Sequence, residues 1–229
     1  MKHSGKAALA AFKLAGLGLA VLLALLAAAF LAKIIAAVIL GRLLWVLIGL
    51  WALFALLTFY FFRDPAPLTP TGKDLVVAPA HGTVDVVDET TEPDFMGGPC
   101  RRVSVFLSVF DIHVQNAPVT GRISFFRHTP GQYLNAMKTD SARFNENVLV
   151  GVEAAEPPGE RIGVRLIAGL IARRIVPWVA EGDRVQRGDR LGLIQFGSRV
   201  EIYLPMRATL KIKPGDKVIG GETVVATFD

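Results

Sequence analysis

Hydrophobic positions follow two regimes along this chain. From Leu14 to Ala32, and again from Leu43 to Phe62, they run almost without interruption, and each run is long enough to cross about 30 Å of hydrocarbon as a helix. Between them Lys33 and Arg42 flank a short apolar bridge, Ile34 to Gly41. The pattern predicts two closely spaced membrane helices, about 14–32 and 43–62, within an anchor over residues 1–62. A secretory signal peptide has a shorter apolar core, a small-residue cleavage site and usually no second run directly behind it. Beyond Arg63 the pattern changes. Pro65, Pro67 and Pro70 stiffen a non-helical linker over residues 63–70. Short β-branched runs then alternate with Gly, Pro and Asp: Leu75–Val77, Thr83–Val87, Val103–Val109, Gly121–Phe126, Asn147–Val152 and Gly163–Leu166. Such spacing predicts a mostly-β sandwich or barrel-like domain, with a minor α share, over residues 71–229. Ile167–Ile175 reads equally as a short helix or a further strand.

A near-repeat sharpens the fold. Glu181-Gly182-Asp183-Arg184-Val185-Gln186-Arg187-Gly188-Asp189-Arg190-Leu191 matches Pro214-Gly215-Asp216-Lys217-Val218-Ile219-Gly220-Gly221-Glu222-Thr223-Val224, with equivalent glycines 33 residues apart. Glycine permits positive φ at each turn, and the adjacent Asp bonds its own backbone. Strands around these turns predict a pseudo-symmetric folded-over sheet of the lipoyl- and biotinyl-carrier kind. A carrier, however, needs a lysine at the tip of the linking hairpin. Here that segment is Leu193 to Glu201, without one. A membrane-fusion adaptor would carry long helical heptads, which are also missing from the sequence.

Charge is divided the same way. The first 62 residues hold Lys2, Lys6, Lys13, Lys33 and Arg42 and no acidic residue, which accounts for the whole net charge of +5; the remainder carries 20 basic and 20 acidic residues. A nucleic-acid-binding face on the folded part loses its support. Lys2, Lys6 and Lys13 before the first run and Arg63 after the second lie on one side of a helical hairpin, and the positive-inside tendency makes that side cytoplasmic. Lys33 and Arg42 in the turn oppose this placement. Cys100 is the single cysteine, which excludes a disulfide framework and fits a reducing compartment. Beside Gly97, Gly98 and Pro99 it reads as a half-buried loop residue. The four histidines lack ligand spacing, so no metal is expected.

Phe196-Gly197-Ser198 taken alone reads as a turn between strands. Its company changes that reading. Arg63-Asp64-Pro65, Ala78-Pro79-Ala80-His81-Gly82, Phe110-Asp111-Ile112-His113-Val114-Gln115-Asn116-Ala117-Pro118-Val119, Phe144-Asn145-Glu146-Asn147, Gly169-Leu170-Ile171-Ala172-Arg173-Arg174-Ile175 and Phe196-Gly197-Ser198 before Tyr203-Leu204-Pro205 occur in that order across residues 63–229. Together they resemble the phosphatidylserine decarboxylase family in its short bacterial form.

The resemblance implies self-cleavage between Gly197 and Ser198. Ser198 Oγ attacks the Gly197 carbonyl, an ester replaces the amide, and elimination with hydrolysis leaves a pyruvoyl group on the new N-terminus. The products are a β chain, 1–197, and an associated α chain, 198–229. The pyruvoyl ketone, as covalent cofactor, forms a Schiff base with the amine of phosphatidylserine and acts as electron sink when carbon dioxide leaves. The implied setting is the cell membrane, with the domain facing the cytoplasm and a homo-oligomer left open. His113 occupies the place of the family's proton-transferring histidine, and imidazole suits that task near neutral pH. Asp111, two residues earlier on an extended strand, shares its face and is a candidate to orient it. Arg173 and Arg174 are candidates for the anionic head group, against the alternative of a solvated pair. The chain departs from the family at two places. Many members carry Asp where His81 stands, and longer members carry a second histidine near Asn116. Either His81 serves as base for Ser198, or cleavage runs through strain and another group. The alternative is a cleavage-impaired homologue acting as a membrane-bound lipid-binding or scaffold protein.

Overall fold

The computed structural model describes residues 6–135, 142–170, 174–195 and 198–228. Two compact units divide between Thr58 and Phe59. Most of the first is helix α1, Lys6–Phe61, which runs unbroken and ends just inside the second unit. This differs from the expected pair of helices. No proline interrupts Ile34–Gly41, and the residues there are apolar helix formers with only Gly41 as a weak point, so the backbone has no local reason to turn. With 56 residues the helix is roughly 84 Å long. Its apolar stretch, Phe12–Phe61, is long and apolar enough to cross a membrane.

The second unit is mostly β. Its strands are β1 (Leu75–Val77), β2 (Gly82–Glu92), β3 (Gly98–Leu107), β4 (Val114–Asn116), β5 (Gly121–Thr129), β6 (Asn147–Ala154) and β7 (Arg161–Ile167). They continue with β8 (Ile175–Pro177), β9 (Arg184–Val185), β10 (Arg190–Ile194), β11 (Ser198–Leu204), β12 (Thr209–Leu210), β13 (Lys217–Val218) and β14 (Val224–Thr227). Eight form one curled sheet in the order β13-β2-β3-β11-β7-β6-β5-β9, and two three-stranded sheets, β1-β14-β12 and β4-β10-β8, complete the fold. Of Ile167–Ile175, the described part contributes the end of β7 and the start of β8, with no helix among the described residues. Alternation sets the core: Val103, Val105 and Leu107 on β3 join Val200, Ile202 and Leu204 on β11 and Val164 and Leu166 on β7. Cys100 is fully buried on β3 against Phe95, Leu149 and Tyr203, not half-buried in a loop; the strand begins at Gly98 and carries it inward.

The two Gly-Asp turns are equivalent in their hydrogen bonds. Gly182 N donates to Ile123 O and Gly215 N to Val84 O, while Ile123 N returns to Asp183 O and Val84 N to Asp216 O. Gly182 and Gly215 have φ of 101° and 96°, a region that excludes most side chains. The strands they contact match as well, because Ala78-Pro79-Ala80-His81-Gly82 parallels Ala117-Pro118-Val119-Thr120-Gly121. A Cβ at Gly82 would meet Phe106 O at 2.2 Å, and one at Gly121 would meet Glu153 O at 2.2 Å.

Candidate active site

Ser198 opens β11, between β3 and β7 in the large sheet, and pairs with Leu107 at the end of β3. Its side chain points with Val200 and Ile202 toward the apolar core. It is fully buried, and its Oγ has no hydrogen-bond partner among the described residues. A buried hydroxyl without a partner costs about 1–3 kcal/mol of desolvation, so such groups call for an explanation. The strand before it, β10, ends at Ile194, whose N–H donates to His113 O at 3.2 Å. The chain from 194 to 198 is therefore tied at one end to His113 and at the other to Leu107. These residues bound the loop Ser108–Ile112, which stands beside the predicted cleavage point. Gly197 itself, like Arg173, lies outside the described residues.

His113 is fully buried, its ring 4.2 Å from that of Phe61 between centroids. Nδ1 lies 2.9 Å from Asp111 O. A carbonyl only accepts, so Nδ1 carries the hydrogen and Nε2 is the acceptor nitrogen of the neutral ring. Burial pushes the imidazole down to about 4, with the Asp111 carbonyl and carboxylate opposing and Arg63 assisting. At neutral pH His113 is thus uncharged, with the ring hydrogen on Nδ1.

Asp111 orients His113, but through its backbone. Its carboxylate instead accepts from Ser108 N at 2.8 Å and Ser108 Oγ at 2.7 Å, closing the loop on itself. The expectation that the two side chains share a strand face is corrected: β3 stops at Leu107, and Asp111 lies in a turn where strand alternation does not apply.

His81 and Asn116, the two departures from the family pattern, come together around Gly220. A Cβ there would lie 2.8 Å from Asn116 Oδ1 and 3.1 Å from His81 Cδ2. His81 is half-buried; burial lowers its pKa, with Glu222 and Asp111 pulling it back up. Neither histidine bonds Ser198 Oγ. Thr83 and Arg199 both pair with Phe106, so the starts of β2 and β11 flank β3 two strand spacings apart, roughly 10 Å. Arg174 is exposed, and its carbonyl accepts from Gln195 N at 3.1 Å.

Four contributors were not foreseen. Gln115 is fully buried; its Nε2 donates to His113 O at 2.6 Å, and its Oε1 has no partner among the described residues. Arg199, buried next to Ser198, forms a bidentate pair with Asp85 at 2.7 and 2.6 Å and donates to Ser104 Oγ at 2.6 Å. Arg63 donates to Phe110 O at 2.6 Å, and Phe61 covers the His113 ring. Arg63 was visible within Arg63-Asp64-Pro65 but carried no role there. The alternating polar positions Arg199, Glu201 and Tyr203 within an otherwise apolar strand were the available signal for the second.

A buried serine at a strand start, with a neutral buried histidine holding the segment before it, defines a candidate site for acyl chemistry on the chain itself. The phosphatidylserine decarboxylase family matches residues 54–226. The phosphatidylserine decarboxylase proenzyme of Symbiobacterium thermophilum is 43% identical over 181 residues, 79% of this chain and 83% of the relative. Proteins of the same name from Desulfotalea psychrophila and Syntrophus aciditrophicus are 41% and 40% identical, over 73% and 76% of this chain and 78% and 80% of theirs. The chain belongs to the phosphatidylserine decarboxylase family.

Proposed function

We propose that this protein cuts itself between Gly197 and Ser198 and then decarboxylates phosphatidylserine to phosphatidylethanolamine. The observation that carries the reading is the buried Ser198 Oγ, without a hydrogen-bond partner among the described residues, after a strand fastened to His113. In the cleavage, Oγ bonds to the Gly197 carbonyl carbon as the amide C–N bond breaks, giving an ester and a free amine on residue 198. Loss of the Cα proton expels the Gly197 carboxylate, and water then releases ammonia, leaving a pyruvoyl group. The apolar surroundings of the Ser198 side chain fit that group: the Cβ that bore the hydroxyl becomes a methyl, which needs no hydrogen bond. When present, it supplies a ketone that accepts the electrons released with carbon dioxide. The chain's own residues do the rest. His113 Nε2 takes up and returns a proton near the reacting carbon. Arg199, held by Asp85 and Ser104, fixes the first residues of the α chain after the cut. His81, beside Asn116 and Glu222, is the candidate base for cleavage. Arg173 and Arg174 are candidates for the phosphate of the head group. The matched turns support a pseudo-symmetric folded-over sheet as the scaffold.

The apolar arm, residues 1–62, supports placement in a cell membrane, and the single cysteine fits a domain on the reducing, cytoplasmic side. Relatives named as proenzymes do not favour the cleavage-impaired alternative. The test is turnover: protein in phosphatidylserine vesicles releases carbon dioxide and phosphatidylethanolamine, and Ser198→Ala abolishes both. Full turnover by Ser198→Ala would refute the assignment.

A further inference from the structure

The loop that holds His113 ends in an apolar tip. Val109 and Phe110 sit at its turn, 41% and 67% exposed. In the same unit Phe59, Tyr60 and Phe62 are also exposed, and Tyr60 reaches Phe110. An exposed aromatic cluster of this kind marks a contact surface. Its backbone shows what kind. The Phe110 carbonyl receives Arg63 Nη2 at 2.6 Å and Tyr60 OH at 3.4 Å. Asp111 N donates to Ser108 O, and Ser108 N to the Asp111 carboxylate. The Phe110 carbonyl, the Asp111 N–H and the Ser108 N–H thus bond within the protein, which lowers the cost for the tip to leave water.

The chain also says what covers it. Phe59 to Phe62 close the apolar stretch of α1, and Arg63 is the first charged residue after Arg42. Aromatic residues closing an apolar helix, followed by arginine, form the usual boundary between hydrocarbon and head groups. Phe110 is fastened to that boundary by Tyr60 and Arg63. We infer that Val109 and Phe110 dip into the bilayer interface, a docking surface that seats the His113 loop on the lipid from which substrate is drawn. Dispersed over a membrane surface, a head group reaches the site without its acyl chains leaving the bilayer. The surface rests on α1 lying in a membrane, and it draws on the phosphatidylserine reading only for its purpose.

The test uses the full chain in phosphatidylcholine–phosphatidylserine vesicles. Phe110→Cys, and separately Val109→Cys, carries an environment-sensitive fluorophore; Met206→Cys, beyond the far end of β11, is the reference. Cys100 is fully buried, and the unsubstituted chain gives the labelling blank. The label at 110 or 109 is expected to shift to the blue and to lose at least half its emission to nitroxide carried near the lipid head group, with the label at 206 unchanged. Labels at 109 and 110 as water-exposed and unquenched as that at 206 would overturn the inference. Because the readout is depth, it stands whether or not phosphatidylserine is turned over, and decarboxylation by the unlabelled chain judges that reading separately.

Discussion

The two faces of β11 are built on opposite principles. On one, Ser198, Val200, Ile202 and Leu204 enter an apolar core where no described residue bonds the serine hydroxyl. On the other, Arg199 pairs with Asp85, and Glu201 lies between Arg102 at 3.3 Å and Arg165 at 3.6 Å while accepting from Tyr203 OH at 2.5 Å. The ion-paired face fixes the strand, while on the other face the Ser198 hydroxyl has no partner among the described residues. A hydroxyl held by a strong acceptor or donor would have a competing ground state; here the competing interactions have been placed one residue away and on the other side.

The largest test of that contrast is Ser198→Ala. It is expected to leave one uncut chain of 229 residues and no decarboxylation, as read by gel and by product release, with the fold retained because both faces keep their packing. Next is the charged face. Asp85→Ala takes the carboxylate from a buried guanidinium whose partner is itself part-exposed, a loss of about 1–3 kcal/mol. Denaturant unfolding should record that loss, and Asp85→Glu should restore part of it.

Acid acts on the apolar side. His113 stays neutral in the folded protein down to about 4, whereas an unfolded imidazole protonates near 6.5. Between those values the unfolded chain binds the extra proton, so stability falls as pH drops from 6.5 to 4. The full loss from this group is about 3 kcal/mol, and His81, shifted in the same direction, adds to it. Stability measured against pH should decline across that window, and His113→Gln should flatten the decline.

A smaller effect separates covering from contact. Phe61→Leu uncovers the His113 ring while leaving Asp111 O in place. The acidic limb of the kcat profile should move up from about 4 toward the ordinary histidine range, with turnover at neutral pH reduced a few-fold.

Much of this was legible from residue patterns, and the failures have a common cause. Alternation and turn residues located β1, β2, β3, β5, β6 and β7, because each strand's period and bounding Gly or Pro are local, but missed the three-residue β4. The Gly-Asp repeat was readable because a positive-φ turn restricts residue choice at fixed positions. Pairing was not readable. Nothing near Ser198 in sequence shows that β11 lies between β3 and β7, or that residue 194 is bonded to residue 113. Period-two reasoning placed the Asp111 carboxylate beside His113, but the strand had already ended and the backbone carbonyl does the orienting. The arm shows the converse error. Lys33 and Arg42 imply a turn by charge, yet the backbone between them meets no helix breaker and continues as helix. The roles of Phe61 and Arg63 depend on contacts about 50 residues away along the chain, which no local pattern encodes.

The central claim is that the unpartnered hydroxyl of Ser198 is consumed in making the pyruvoyl group. Intact-mass spectrometry of the purified full chain, with and without borohydride reduction, tests it most directly. Two polypeptides divided at Gly197 and Ser198 are expected, with the 198–229 fragment gaining two hydrogens on borohydride reduction. A single uncut chain in folded, membrane-reconstituted protein would contradict it.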